Sequence, residues 1–180
     1  YFQEIEDLDQ GDMFVVGADF RHYLRVHRNI IWANRLAGST SFGNQRLVYY
    51  MGGVDKWFLP KFNKDVPVAD DQNYKFQALA TPVRGFSQNA RNGNSFAVIN
   101  SELRIPIFDY LTYKPIKSDF LKNFQVVGFG DIGSAWTGTD PYSEDNSFNV
   151  ETKQRGPITI TIRNQREPII GGFGFGLRSR

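Results

Sequence analysis

The amino-acid sequence predicts an all-β protein, built as an antiparallel transmembrane β-barrel, on three observations. Apolar and polar residues alternate along several long segments, which is the period of a strand with two different faces. Aromatic residues make up 15% of the 180 residues, and the 17 glycines suit a sheet with tight strand crossings. Long and short connections also alternate, as the outer loops and inner turns of membrane barrels do.

The first two predicted strands form a hairpin. From Met13 to Val26 the even positions are largely apolar and the odd positions largely polar. At about 14 residues this strand is long for a soluble protein, where about five or six is usual. It suits a tilted membrane strand of about 9–11 residues with an extension into solvent. Arg28 and Asn29 form the turn, and the second strand runs from Ile30 to Phe42.

Residues 44–94 are predicted to be a long irregular loop. The segment from Arg46 to Met51 either extends the hairpin or starts this loop. About fifty residues without a clear element exceed what a compact domain tolerates, unless the loop has a function.

Three further strands follow the loop. The segment from Ser95 to Ile107 alternates well, and Pro106 near its end marks either a strand terminus or an edge strand. Phe124 to Trp136 is a glycine-rich strand, and Ile169 to Arg178 has glycine at every second position of one face, which leaves room for something to lie there. A mixed turn at 108–122 is short, whereas 137–168 forms a second long polar loop.

Within the second long loop, the residues from Ile158 to Arg163 alternate and predict a strand outside any bilayer. The long connections therefore follow the second and fourth main strands, and the short ones follow the first and third. Long loops on one side and short turns on the other are the layout of a membrane barrel.

The composition and the residue spacing argue against several kinds of functional site. The chain has no cysteine, which removes disulfides and thiolate chemistry, and its net charge of +2 gives no reason to expect nucleic acid. His22 and His27 lack the further ligands of a zinc site, so no metal is expected. Gly172, Gly174 and Gly176 precede no helix, so they form no dinucleotide fingerprint. No cofactor is expected.

The turn Val83-Arg84-Gly85-Phe86 places one cation beside a glycine and an aromatic ring. Gly85 can adopt a positive φ at low cost, and Pro82 stiffens the approach. Such a tetrapeptide by itself is also compatible with an ordinary exposed turn. Glu102 and Asp131 lie on the more polar faces of two later strands. A carboxylate pair could serve acid–base catalysis, but no serine–histidine constellation or phosphate loop accompanies it, so a non-enzymatic salt-bridge role is favoured.

Three segments together resemble a known family. The turn at residues 83–86, the strand Ser101-Glu102-Leu103-Arg104-Ile105-Pro106 and the strand Gly130-Asp131-Ile132-Gly133-Ser134-Ala135-Trp136 occur in the order and spacing of the bacterial surface antigen family. This family contains the barrels of BamA-type and TamA-type outer-membrane assembly proteins. Asp19-Phe20-Arg21-His22-Tyr23 and Tyr49-Tyr50-Met51-Gly52-Gly53 are similar to the Bacteroidetes-like form.

The resemblance implies a barrel of about sixteen strands, of which residues 1–180 supply the C-terminal portion, without the N-terminal periplasmic region and the last strands. It implies that the long loop 44–94 folds back into the lumen, where Arg84 pairs with Glu102 and Asp131. It also implies an outer-membrane location, contact with membrane lipid, and a role in assembling, inserting or translocating client proteins, with accessory assembly proteins as further partners. The sequence begins at Tyr1 without an initiator methionine and ends abruptly at Arg180, so a fragment of a longer protein is expected.

Two alternatives remain open from the sequence. A passive pore or a channel that secretes one partner has a similar barrel. A soluble β-barrel or β-sandwich that binds a ligand would show the same strand period.

Overall fold

The computed structural model describes residues 11–53, 61–69, 72–80, 82–108, 118, 123–146, 149–163 and 167–179. The strands are β1 (Met13–His27), β2 (Ile30–Gly43), β3 (Arg46–Met51), β4 (Tyr74–Leu79), β5 (Arg91–Gly93), β6 (Ser95–Ile105), β7 (Phe124–Trp136), β8 (Val150–Arg155), β9 (Ile158–Arg163) and β10 (Ile170–Ser179). In the described ranges, no helix has the length and apolar character needed to cross a membrane.

Five long strands form the main sheet, in the order β1-β2-β6-β7-β10. Every neighbouring pair is antiparallel. The five strands also lie side by side in the order in which they occur along the chain. The prediction of an all-β protein with an antiparallel main sheet is therefore confirmed. Each predicted long strand is present, with its ends within two residues of the expected positions.

The two faces of this sheet differ in chemistry, because residues paired across antiparallel strands share a face. One row crosses the sheet as Arg21, Arg35, Asn100, Asp131 and Gly172. We call the side that carries this row the loop face. The opposite side, which we call the apolar face, carries Phe20, Leu36, Ile99, Ile132, Phe173, Phe175 and Leu177.

The segment 44–94 is more ordered than the sequence indicates, which corrects the expectation of a loop without regular elements. Strands β4, β3 and β5 form a small sheet in that order, with β3 parallel to β4 and antiparallel to β5. The expectation failed because these strands are short and β3 pairs with residues more than twenty positions away. A strand that pairs at such a distance leaves little local signal in the sequence.

The buried core lies between this small sheet and the loop face. It contains Met51 and Val83, which are fully buried, with Tyr49, Ala90, Val98 and other small apolar side chains around them. Core packing therefore fixes the inserted segment against one face of the main sheet and leaves the apolar face without a covering layer among the described residues.

The second long connection contains a hairpin, β8–β9, closed by a turn at Gly156, whose φ is +61°. The alternating patch from Ile158 to Arg163 is its second strand, as the sequence predicted, whereas β8 was not expected. The predicted turn at 108–122 lies for the most part outside the described residues.

Both long connections, β2 to β6 and β7 to β10, leave the main sheet at the same end. The short turn between β1 and β2 and the connection between β6 and β7 lie at the other end. This separation follows directly from the antiparallel order of the strands.

Candidate functional site

The turn that carries Arg84 is anchored by backbone hydrogen bonds on both sides. Val83 N–H donates to Gly52 O at 3.2 Å, and Gly53 N–H donates to Phe86 O at 2.9 Å. Gly85 has a φ of +94°, a conformation that suits glycine because it has no Cβ. The buried Val83 fixes the base of the turn, so that the guanidinium of the next residue points onto the loop face.

Arg84 forms ion pairs with both carboxylates that the sequence analysis singled out. Its Nε and Nη2 atoms donate to Oδ2 and Oδ1 of Asp131 at 2.6 and 2.8 Å. Its Nη1 donates to Oε1 of Glu102 at 2.6 Å. The planar fork of donors in arginine matches a carboxylate at two points, which a lysine ammonium cannot do. The structure thus brings Arg84, Glu102 and Asp131 together.

Asp131 is fully buried, with a side-chain exposure of 0%. Besides the Arg84 side chain, its carboxylate accepts a hydrogen bond from Arg84 N–H at 3.1 Å and one from Asn100 Nδ2 at 2.8 Å. Asn100 Nδ2 also donates to Pro82 O at 3.2 Å. A buried carboxylate is costly unless its oxygens are well paired, and these donors supply that pairing.

Glu102 joins Arg84 to a second arginine. Its Oε2 accepts hydrogen bonds from Nε and Nη2 of Arg104 at 3.0 and 2.7 Å. The cluster of Arg84, Arg104, Glu102 and Asp131 therefore balances two positive and two negative charges. Burial lowers the pKa of Arg84, but hydrogen bonds and charge from Asp131 and Glu102 raise it further, so its pKa lies above the usual value. Arg84 stays charged at any physiological pH.

An aromatic ring and two glycines complete the site. The Arg84 Cζ atom lies 3.8 Å from the centre of the Phe129 ring, a cation–π distance. A Cβ built on Gly174 would lie 3.0 Å from that ring, and one on Gly172 would lie 2.3 Å from Arg84 O. The glycine face of β10 therefore admits both the loop backbone and the ring, in agreement with the room that the sequence pattern indicated.

A second charged cluster lies beside the first, toward β1. Asp19 accepts hydrogen bonds from Arg35 Nη2 at 2.6 Å and from Arg21 Nη2 at 3.0 Å. These side chains are between 29% and 55% exposed, so water screens them more than the Arg84 cluster. Arg21 and Arg35 are paired across β1 and β2, so this cluster also lies on the loop face.

Asn100, Arg104 and Phe129 were not singled out from the sequence as partners of Arg84. The alternation that placed Glu102 on the polar face of β6 also places Asn100 and Arg104 there, so a signal existed for these two. The alternation also places Phe129 on the face of Asp131, two positions away, but it does not reveal that this ring lies under the Arg84 guanidinium.

The contacts of Arg84 with Glu102 and Asp131 hold the turn against the main sheet. No group of three or more histidine, aspartate or glutamate side chains in the described part of the chain is arranged to hold a metal ion. The arrangement can hold a loop against a sheet through one guanidinium and two carboxylates.

No protein-family model, curated protein or solved structure matches this chain.

Proposed function

We propose that the chain is part of an outer-membrane β-barrel that assembles, inserts or translocates other proteins. In this proposal the loop face lines the lumen, and Arg84 locks the inserted segment there through Glu102 and Asp131. The observation that carries the proposal is the contrast between the faces of one sheet. A packed segment covers the polar face, and the apolar face stays exposed.

The exposed face is apolar where a water-soluble sheet would be polar. Phe173, Phe175 and Leu177 are 91%, 87% and 71% exposed, and Phe20, Leu36, Ile99 and Ile132 are each more than half exposed. Antiparallel sheets with one solvated face normally place polar side chains on it. Exposed apolar area costs about 25 cal/mol per Å² in water, a cost that hydrocarbon removes. Lipid is the partner that this face suits.

Strand length and connection length support the same proposal. The five main strands have between 10 and 15 residues, enough for the roughly 9–11 residues that cross a bilayer at a tilt. The long connections share one end of the sheet, as the outer loops of bacterial outer-membrane barrels do. Further strands of a closed barrel would pair with the outer edges of β1 and β10, which a bilayer requires because it offers no water to unpaired backbone groups.

The protein-assembly role follows from the resemblance to the bacterial surface antigen family, together with the locked loop. A barrel that handles other chains needs a lumen that is closed at rest. The Arg84 cluster supports this requirement, because it fastens the segment that would fill the lumen. A passive pore would instead need an open path for ions past the inserted segment.

The test uses the complete gene product in bacterial outer membranes, with the substitution Arg84→Ala. We expect loss of heat-modifiable gel mobility at a lower temperature, together with reduced assembly of client outer-membrane proteins. The matched control is Arg178→Ala, which removes an exposed arginine from the same face outside the cluster. Unchanged mobility and assembly for Arg84→Ala would reject the lock.

Three measurements separate the alternatives. A monodisperse native protein without detergent would reject the membrane proposal in favour of a soluble binding protein. Steady conductance of the unmodified protein in planar bilayers would instead favour a passive pore, and secretion of one partner without any effect on client assembly would favour a secretion channel.

A further inference from the structure

A cavity of about 320 Å³ lies on the loop face between the Arg84 turn and strands β1, β2 and β6. Pro82 and Arg84 contribute to it from the turn, and Arg21, Arg35, Asn100 and Arg104 contribute from the sheet. Its volume lies at the lower end of the range for small-molecule sites, about 300–1,000 Å³. The cavity is thus large enough for a small ligand that touches both the turn and the sheet.

Charge around the cavity is unbalanced. Four of its lining residues carry guanidinium groups: Arg21, Arg35, Arg84 and Arg104. The described carboxylates that pair with them are Asp19, Glu102 and Asp131. One positive charge is therefore left over among these side chains. Arg21 and Arg35 are also direct cross-strand neighbours, and the two share the single negative charge of Asp19.

Arg35 and Arg104 retain unused donors in positions that are partly shielded from water. Arg35 and Arg104 each direct Nε and Nη2 at a carboxylate. The Nη1 atoms of both form no hydrogen bond with any residue in the ranges that the structure describes. Both side chains are only 29% and 23% exposed. Guanidinium groups that are partly shielded from water bind oxyanions more strongly than exposed ones, because local screening is weaker.

We infer that this cavity is a binding site for a phosphate monoester group. Several guanidinium groups around one cavity suit a phosphate, whose terminal oxygens accept bonds from more than one arginine, better than a carboxylate with two oxygens. The negative charge of a bound monoester would offset the surplus positive charge of this arginine cluster. Because Arg84 belongs to the turn and Arg35 to β2, the bound group would also tie the turn more firmly to the sheet. The inference uses only the loop face and does not depend on membrane insertion.

The experiment is calorimetric titration of the complete protein in non-ionic detergent at low ionic strength. One probe is glycerol 3-phosphate, a soluble monoester, with glycerol as the uncharged control. The other is mixed micelles that contain phosphatidic acid, with phosphatidylcholine micelles as the control. The variants are Arg35→Gln, Arg35→Lys and the matched control Arg25→Gln, which removes an exposed arginine of the same face that does not line the cavity.

We expect saturable binding of at least one monoester, weakened at least about tenfold by Arg35→Gln and changed less than about twofold by Arg25→Gln. Arg35→Lys is expected to bind at an intermediate level, since it keeps the charge and loses the fork. Circular dichroism establishes that each variant retains its sheet. Binding of glycerol 3-phosphate indicates a free phosphate ligand, and binding of phosphatidic acid micelles alone indicates a lipid headgroup.

Absence of binding by both monoesters would overturn the inference. Equal weakening by Arg25→Gln and Arg35→Gln would overturn it as well, because binding would then reflect the general positive charge of the face and not this cavity.

Discussion

Arg84 and Asp131, which lie 47 positions apart in the sequence, form a two-point ion pair on the loop face of the sheet. Nε and Nη2 of the arginine donate to the two carboxylate oxygens at 2.6 and 2.8 Å, and the Arg84 backbone N–H adds a third bond at 3.1 Å. The turn is therefore held both by its side chain and by its backbone.

The substitution Asp131→Asn should destabilise the folded protein by about 3–5 kcal/mol, the usual effect of removing one partner from a buried ion pair. Asp131 is fully buried and accepts four described hydrogen bonds, so the amide would turn a donor toward Arg84 or Asn100. The unfolding temperature of the detergent-solubilised protein measures the effect. Asp19→Asn is the matched control and should change this temperature little, because its ion pairs are exposed. Equal effects of the two substitutions would contradict the prediction.

The substitution Arg84→Lys should behave almost like Arg84→Ala. A lysine keeps the positive charge but cannot reach Asp131 at two points and Glu102 at a third. The measurement is the rate at which a protease cuts the folded protein at the 82–86 turn. We expect both variants to be cut at least about tenfold faster than the unmodified protein. Protection of Arg84→Lys at the unmodified level would show that charge alone holds the turn.

The substitution Gly172→Ala should loosen the turn by steric contact, because the new Cβ would lie 2.3 Å from Arg84 O. The expected cost is about 1–3 kcal/mol, as for other overpacked sites. Gly176→Ala is the control on the same face of β10, where no described atom lies within 4 Å of the built Cβ. Thermal unfolding of both variants distinguishes them, and an identical loss of stability would point to strand propensity as the cause.

The substitution Phe175→Arg should impair insertion into lipid bilayers. Phe175 lies on the apolar face and is 87% exposed, and an arginine there would cost about 2–4 kcal/mol near the middle of a bilayer. The control is Gln125→Arg, on the loop face of β7. Folding into lipid vesicles, followed by urea titration, measures the difference. If both variants insert equally well, the apolar face does not contact lipid.

The long strands of the main sheet could be predicted from the sequence because their pairing leaves a local pattern. In Phe124–Trp136 the observed strand has the predicted bounds, and Pro106 ends β6 as expected. The small sheet could not be predicted, since Arg91–Gly93 has only three residues and β4 pairs with β3 in parallel across a long separation. Their hydrogen bonds depend on the chain path between them, which no period in the sequence encodes.

The sequence by itself determined the strand period, the two chemically different faces, and the presence of one loop arginine with a carboxylate on each of two polar strand faces. These properties depend on the order of side chains along single segments. Only the tertiary structure decided that Asn100 and Phe129 complete the Arg84 site, that Gly172 receives the turn, and that Arg35 and Arg104 line one cavity. Such contacts join residues from different strands, and their distances are set by strand register and core packing together.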